Sequence, residues 1–371
     1  MAWLPILGLA TWALRSDDGP NTTGSPTGAE VAGLARRILR PIPIGAALVF
    51  VLAAITLASR PDGRLHVTVL DIGQGDAILV EAPSGATMLV DGGPDPELTL
   101  RRIGANLPFF ARRIDVMVLS HPHQDHVAGL VEALDRFDVG LLLHAGIAFE
   151  NPAFERLLAD AAVEPMLVAE LARSGATLAL DSSTELEILY PAQVDANAPL
   201  PEGDINNGSV VMVLRHGGFA ALLTGDAEAP VEAALIGRGA LPVVDLLKVG
   251  HHGSNSSTTS GLVDAIRPSV AVISSGAGNE YGHPAPETLE ALAARPGLDV
   301  FRTDIEGDVE VATDGRTYRV RTDAGWSAPR PVHGAESAGS IGPWPFRTDP
   351  PLAACCRSIR NTAPRRRPRA R

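Results

Sequence analysis

Directly behind the stretch IDVMVL at Ile114–Leu119 stands the run Ser120-His121-Pro122-His123-Gln124-Asp125-His126, and no other segment restricts this chain as much. Three imidazoles and a carboxylate fall within six residues at the end of a strand-like segment. A solvated histidine loop there would press unpaired polar groups against a buried strand, and each such group costs a few kcal/mol. A bound cation removes that penalty. At the end of a strand His121 and His123 can turn the same way and share one metal ion, while Asp125 and His126 are offset to reach a second. A helix starting near Val127 would hold the loop rigid. The chain has two cysteines, adjacent at Cys355-Cys356, so neither zinc-finger spacing nor a Cys-x-x-Cys pair exists. Nitrogen and oxygen donors must carry any metal site, and they suit zinc or manganese.

The length of 371 residues suits one large domain with appendages. Residues 41–59 contain no charged side chain. As a helix at ~1.5 Å per residue they approach the ~30 Å hydrocarbon thickness, so residues 41–60 are expected to form one transmembrane helix. Arg36, Arg37 and Arg40 before the span, against Arg60 and Arg64 after it, point to a single-pass cell-membrane protein with its N-terminus inside and the large domain on the extracytoplasmic side. Residues 1–40 read as an apolar piece followed by a loop rich in Gly, Ser, Thr, Pro and Asp. Residues 61–326 read as the globular domain, and residues 327–371, ending PRRRPRAR, as a disordered basic tail. Charge follows the same divisions: +1 over residues 1–63, +7 over 327–371 and −20 between them. Long-range attraction of a polyanion is therefore not what the middle of the chain advertises, and any work on nucleic acid would need a local basic patch or bound cations.

Within the globular part, short apolar runs predict strands at His66–Leu70, Ala77–Glu81, Thr87–Val90, Asp115–Ser120, Leu186–Tyr190, Val210–Arg215, Ala220–Thr224, Val244–Val249, Val270–Ser274 and Asp308–Ala312. Helices are predicted at Glu97–Ala105, Val127–Arg136, Pro152–Ala162, Glu228–Ile236 and Pro286–Ala294. Such a mixture gives helix-covered sheets of the α+β class, with some pairing antiparallel because the early strands are joined by short Gly-containing turns.

His-Pro-His-Gln-Asp-His at 121–126 resembles the His-x-His-x-Asp-His motif of the metallo-β-lactamase-like hydrolases. Asp91-Gly92-Gly93 after the strand TMLV and Leu223-Thr224-Gly225-Asp226 after another strand follow in that superfamily's order. Further pieces resemble the C-terminal domain of the ComEC family of competence DNA-uptake membrane proteins. They are LDIGQGDAILVEAPSG at Leu70–Gly85, Asn206-Asn207-Gly208-Ser209, LLKVGHHGSNSS at Leu246–Ser257 and YGHP at Tyr281–Pro284. The resemblance covers roughly residues 64–322. It implies a four-layer αββα sandwich with the metal site at one edge of the two sheets, and a role in degrading the DNA strand that is not taken up. It also implies two divalent ions, Zn2+ or Mn2+, with Asp226 shared between them. His121 and His123 would hold one, and Asp125, His126 and His283 the other. His252, with or without His251, would complete the first site or contact the substrate's phosphate, so Asp125, His251 and His252 are the candidate catalytic residues. A water acidified by the cations would attack phosphorus or a carbonyl carbon.

Two departures from the family are visible. Its multi-helix channel has no counterpart before the domain, so a separate DNA channel protein is an expected partner. The further histidine that many superfamily members carry between the first motif and the bridging aspartate is replaced by Asn206-Asn207-Gly208-Ser209. Asp71, Asp76, Asp91, Asn207 and Lys248, the only lysine in the chain, are expected to stand behind the ligands. His66, His144 and His216 read as structural or surface residues. With 4% aromatic residues and Phe109-Phe110 the only adjacent pair, no stacking platform for bases is legible. A membrane-anchored nuclease acting in DNA uptake is the leading expectation. A hydrolase of a small phosphoester, ester or lactam is the second, and a non-catalytic metal-stabilised module of an uptake complex the third.

Overall fold

Strands buried on both faces can exist only inside a layered stack, because successive side chains point to opposite sides. The computed structural model, which describes residues 61–191 and 199–333 together with Phe50, contains many such strands. Its first half runs β1 (Leu65–Val69), β2 (Ile78–Glu81), β3 (Thr87–Val90), α1 (Pro96–Asn106), β4 (Arg113–Leu119), α2 (Gln124–Arg136), β5 (Asp138–His144), α3 (Pro152–Ala161), β6 (Val168–Leu171), β7 (Thr177–Ala179) and β8 (Thr184–Tyr190). Its second half runs β9 (Val211–His216), β10 (Phe219–Leu223), α4 (Ala229–Gly237), β11 (Leu246–Lys248), α5 (Ser260–Ile266), β12 (Val270–Ile273), α6 (Pro286–Ala293), β13 (Asp299–Arg302), α7 (Thr303–Glu306), β14 (Val309–Thr313), β15 (Thr317–Thr322), β16 (Gly325–Trp326) and β17 (Arg330–Pro331).

One sheet has the order β16-β15-β14-β1-β2-β3-β4-β5-β6, with β17 also on β15; the other has the order β13-β12-β11-β10-β9-β8-β7. Pairing is antiparallel around β1 and β2 and parallel from β3 to β6, and the second sheet is likewise parallel from β10 to β13. Ile78, Val80, Met88 and Val90 of the first sheet meet Met212, Leu214, Ala221 and Val272 of the second in one shared core. The opposite faces of the same strands bury Leu79 and Leu89 under α1–α3, and Val213, Leu222 and Ala271 under α4–α6. Each fully buried aliphatic side chain in these layers contributes roughly 1.5–3 kcal/mol. The result is an α+β sandwich of four layers, αββα.

Helix α2 begins at Gln124 rather than near Val127, which moves Asp125 and His126 from a loop into its first turn. His123 is the N-cap residue and makes no side-chain capping bond, so its ring is free to point elsewhere. Glycine contact sets the seat of this helix. A Cβ on Gly129 would lie 1.8 Å from the Gly92 carbonyl oxygen, and Gly92 N donates to the His126 carbonyl at 2.7 Å. The turn Asp91-Gly92-Gly93 and the histidine-bearing helix therefore lock backbone to backbone.

Residues 327–333, expected as the start of the tail, are among the described residues of the fold. Residues 327–333 are ordered, with β17 paired to β15, Val332 buried and His333 N donating to Asp245 at 2.7 Å. Burial of Val332 and the hydrogen bond to the buried Asp245 carboxylate outweigh the loop-like composition there. The expected N-terminal piece at 1–40 and helix at 41–60 lie outside the described residues, Phe50 aside. Among the described residues no helix is long and apolar enough to cross a membrane.

Candidate metal centre

Five strands end at one edge of the sandwich, and each releases a functional loop there. Asp91 follows β3, Ser120 and His121 follow β4, Asp226 follows β10, the turn Gly250–Gly253 follows β11, and Ser274 follows β12. Asp91 occupies the left-handed region at φ 57°, as do His251 at 47° and His252 at 54°. Non-glycine residues held there cost of order 1–3 kcal/mol each, a strain that persists where the surroundings over-determine it.

The Oδ2 of Asp226 is the focus. His126 Nε2 lies 3.2 Å from it, His252 Nε2 3.4 Å, and His121 and His251 Nε2 3.9 Å each. Asp226 is buried and its Oδ1 has no hydrogen-bond partner, and neither has His252 Nε2. Asp125 Oδ2 stands 3.3 Å from His252 Nε2 and 3.9 Å from His126 Nε2. Asp125, His126, Asp226 and His252 thus bring one donor atom each within 4.8 Å of one another. His121 Nε2 and His123 Nδ1 approach each other to 3.0 Å beside this group. Convergent imidazole and carboxylate atoms around unpartnered buried oxygen and nitrogen are a donor set that fits divalent cations.

Other side chains fix the orientation of these rings. Asp91 accepts from Ser120 N at 2.8 Å and Ser120 Oγ at 2.7 Å, and its Oδ2 lies 2.9 Å from His126 Nδ1, so the other nitrogen of His126 faces Asp226. His252 Nδ1 lies 3.1 Å from the Ser274 carbonyl oxygen and 3.3 Å from Asp76 Oδ1. Asp76 is paired with Lys248 at 2.7 Å, both side chains being buried. Asn207 accepts from Glu228 N at 3.1 Å and donates to Glu228 Oε2 at 3.2 Å, and Ser209 Oγ accepts from Asp226 N at 3.1 Å. The Asn206–Ser209 segment, in place of a histidine, therefore shapes the loop that carries Asp226.

The electrostatics agree with a site built around cations. Burial disfavours a charged His126, but the carboxylates of Asp226, Asp91 and Asp125 outweigh it and raise that ring well above the usual imidazole range. His252 is raised against the same burial by Asp226 and Asp76. His121, buried and next to a charged His126, is pushed well below. Burial alone would raise Asp226, yet His126 and His252 hold it far below the carboxylate range. Burial likewise opposes ionisation of Asp76, but Lys248 and then His252 bring it down to about 2.

Among the anticipated residues, His283 and Asp71 stand elsewhere. His283 is expected with Asp125 and His126; the ring that stands beside those two is that of His252. The ring of His283 lies 5.7 Å from that of His251, and its Nδ1 lies 3.4 Å from Gln74 Nε2. Asp71 pairs with Arg102 at 2.7 Å, away from the ligands. His66, His144 and His216 are likewise remote: they contact Glu310, Gly146 N and Ser183 O respectively. Glu228 had no signal beyond an acidic residue at a helix start. It accepts from Ser256 Oγ at 2.7 Å and lies 3.3 Å from His251 Nδ1.

The family model described as the metallo-beta-lactamase superfamily matches residues 70–277. Over 261 residues the chain is 30% identical to ComE operon protein 3 of Bacillus subtilis (strain 168), covering 66% of this chain and 32% of that protein. It is 30% identical over 252 residues to Competence protein ComA of Neisseria gonorrhoeae, covering 67% and 32%. The structure of CmlA, a diiron beta-hydroxylase from Streptomyces venezuelae, aligns at 18% identity and a TM-score of 0.44, over 68% of this chain and 54% of that one. The chain spans about a third of the length of the curated relatives it matches. With the model match taking in Asp91, the 121–126 run, Asp226 and the His251-His252 turn, the chain belongs to the metallo-beta-lactamase superfamily and has competence proteins of the ComEC family among its relatives.

Proposed function

We propose that this chain is a metal-dependent hydrolase that cleaves DNA phosphodiester bonds during DNA uptake. Residues 41–60 would anchor it in the cell membrane with the hydrolase domain on the extracytoplasmic side, and a separate protein would form the channel. One observation carries the hydrolase reading: four imidazole Nε2 atoms surround a single buried carboxylate oxygen, Asp226 Oδ2, within 3.9 Å. The choice of DNA follows the relatives named for competence.

His121, His123, Asp125, His126, Asp226 and His252 would hold two divalent ions, zinc or manganese. Such ions polarise a phosphodiester and acidify an attacking water. The chain's own residues do the rest. Asp91 and Asp76 keep His126 and His252 turned with Nε2 inward, so no reorientation is needed when substrate arrives. His251, with Glu228 and Ser256 against its Nδ1, directs Nε2 towards Asp226 and can hand a proton to the leaving oxygen. Asp125, partly exposed at the first turn of α2, borders the approach to the centre.

Incubating the full chain with single- and double-stranded DNA, in Zn2+ and in Mn2+, tests the reading. Cleavage by the wild type that Asp226→Ala lowers by at least about 10²-fold is expected, because the variant lacks the carboxylate on which the proposed metal-holding side chains converge. Two bound metal ions per chain without cleavage of either DNA would reject it.

A further inference from the structure

Two exposed aromatic rings stand against histidines near the centre, one on a loop of each sheet. Phe149, 37% exposed in the loop after β5, lies with its ring 5.4 Å from that of His123, which lies 4.6 Å from His121. In the loop after β12 Tyr281, 64% exposed, stacks on His283 at 5.9 Å with 27° between the planes, and His283 lies 5.7 Å from His251. His121 and His251 each bring Nε2 to 3.9 Å from the same Asp226 oxygen. A file of rings therefore leads from each exposed aromatic to the centre.

Other exposed aromatics of the globular unit have partners of their own. Phe109 and Phe110 pack edge to face, and Trp326 lies beneath Arg319 and Arg321. Among the described residues Phe149 meets only His123, edge to face, and Tyr281 stacks only on His283, and both side chains are exposed.

Building on the DNA-hydrolase reading, we propose that Phe149 and Tyr281 are stacking platforms for the bases on either side of the scissile phosphate of a single-stranded nucleic acid. Two platforms on separate loops, each linked through histidine rings to one reacting centre, suit a polymer, because a small ester has nothing to lay on the second. They suit a single strand, because bases in a duplex are already covered by their neighbours. Stacking also provides affinity without positive charge, which a segment carrying −20 between residues 64 and 326 does not offer.

The test is equilibrium binding of a short phosphorothioate-linked oligothymidylate, which resists cleavage, to the full chain in Zn2+ and in Mn2+. Fluorescence anisotropy would follow the wild type, Phe149→Ala, Tyr281→Ala, Tyr281→Phe and the remote control Phe109→Ala. Metal content and thermal unfolding would verify that each variant is intact. Each alanine at a platform should weaken binding about 5- to 150-fold, the range for loss of one stacked base. Tyr281→Phe, which keeps the stacking face, and Phe109→Ala, whose ring packs on Phe110 away from the centre, should leave binding within about twofold. The same oligonucleotide with abasic sites should bind the wild type weakly and be indifferent to the alanine substitutions. Wild-type DNA binding and cleavage with unchanged binding by both alanine variants would overturn the platforms and leave the nuclease standing. A wild type that binds no single strand with either metal would overturn both.

Discussion

Lys248 is the only lysine of the chain, and it lies fully buried against Asp76, which in turn faces His252 Nδ1. Taking two charges out of water is expensive, and their mutual attraction returns most of that cost only while both are present. Lys248→Met would leave Asp76 charged and uncompensated at the foot of the metal centre. A loss of about 3–5 kcal/mol in denaturant unfolding is expected, as for other broken buried pairs. The double variant Lys248→Met/Asp76→Asn should regain much of that stability. It should not regain metal affinity, because the carboxylate facing His252 is gone. If the single variant is as stable as the wild type, the pair is dispensable to the fold. This chain of contacts explains why the run Leu246–Ser254 looks so constrained: strand, buried cation and metal-facing histidine occupy consecutive turns of one segment.

At the scale of elements, the strands legible in the sequence were those bounded by turn residues. β5 was not among them, since only Phe137 separates it from α2 and its apolar residues read on from the helix. β6 and β7 lie at sheet ends and are largely exposed, so they carry no alternation to detect. The metal-ligand candidates were legible because imidazoles clustered behind apolar runs are rare. Glu228, Ser209 and Ser274 were not, because an acid at a helix start or a serine in a loop is ordinary until tertiary structure gives it a partner. His66 is a case where pairing across strands decides the chemistry. In β1 it reaches Glu310 of the neighbouring β14, with Asp62 on its other nitrogen. Burial lowers its affinity for a proton, but these two carboxylates raise it to about 9 from 6.5. Because the folded value is the higher one, the stabilisation is complete below about pH 6.5 and fades as pH rises through about 9. His126 and His252 are raised too, but they contribute alike to wild type and variant, so the difference between the two profiles reports His66. Thermal unfolding should therefore fall from pH 7 to pH 9.5 in the wild type and much less in His66→Asn; parallel declines would show that the loss arises elsewhere.

For the globular unit as a whole, the metal centre and the shared core do the same mechanical work. His121, His123, Asp125 and His126 come from the sheet that contains β4, whereas Asp226 and His252 come from the sheet that contains β10 and β11. The two sheets are already joined by the core that includes Val80, Val118, Leu214 and Val272. Cations held between the edge loops would add a second link at the end where Asp125 and Asp226 stand close together. Binding to the folded state alone stabilises it by an amount that grows with ligand concentration, about 2.7 kcal/mol at a hundred times Kd for one site. Zinc or manganese should accordingly raise the unfolding temperature of the globular unit as one cooperative transition, and EDTA should reverse the gain. Asp226→Ala removes the carboxylate on which ligands from both sheets converge, so its unfolding temperature should respond to neither metal nor chelator. A metal-dependent transition confined to one part of the unit, or a wild-type unfolding temperature indifferent to EDTA, would mean that the cations do not bridge the sheets and that the core alone holds them together.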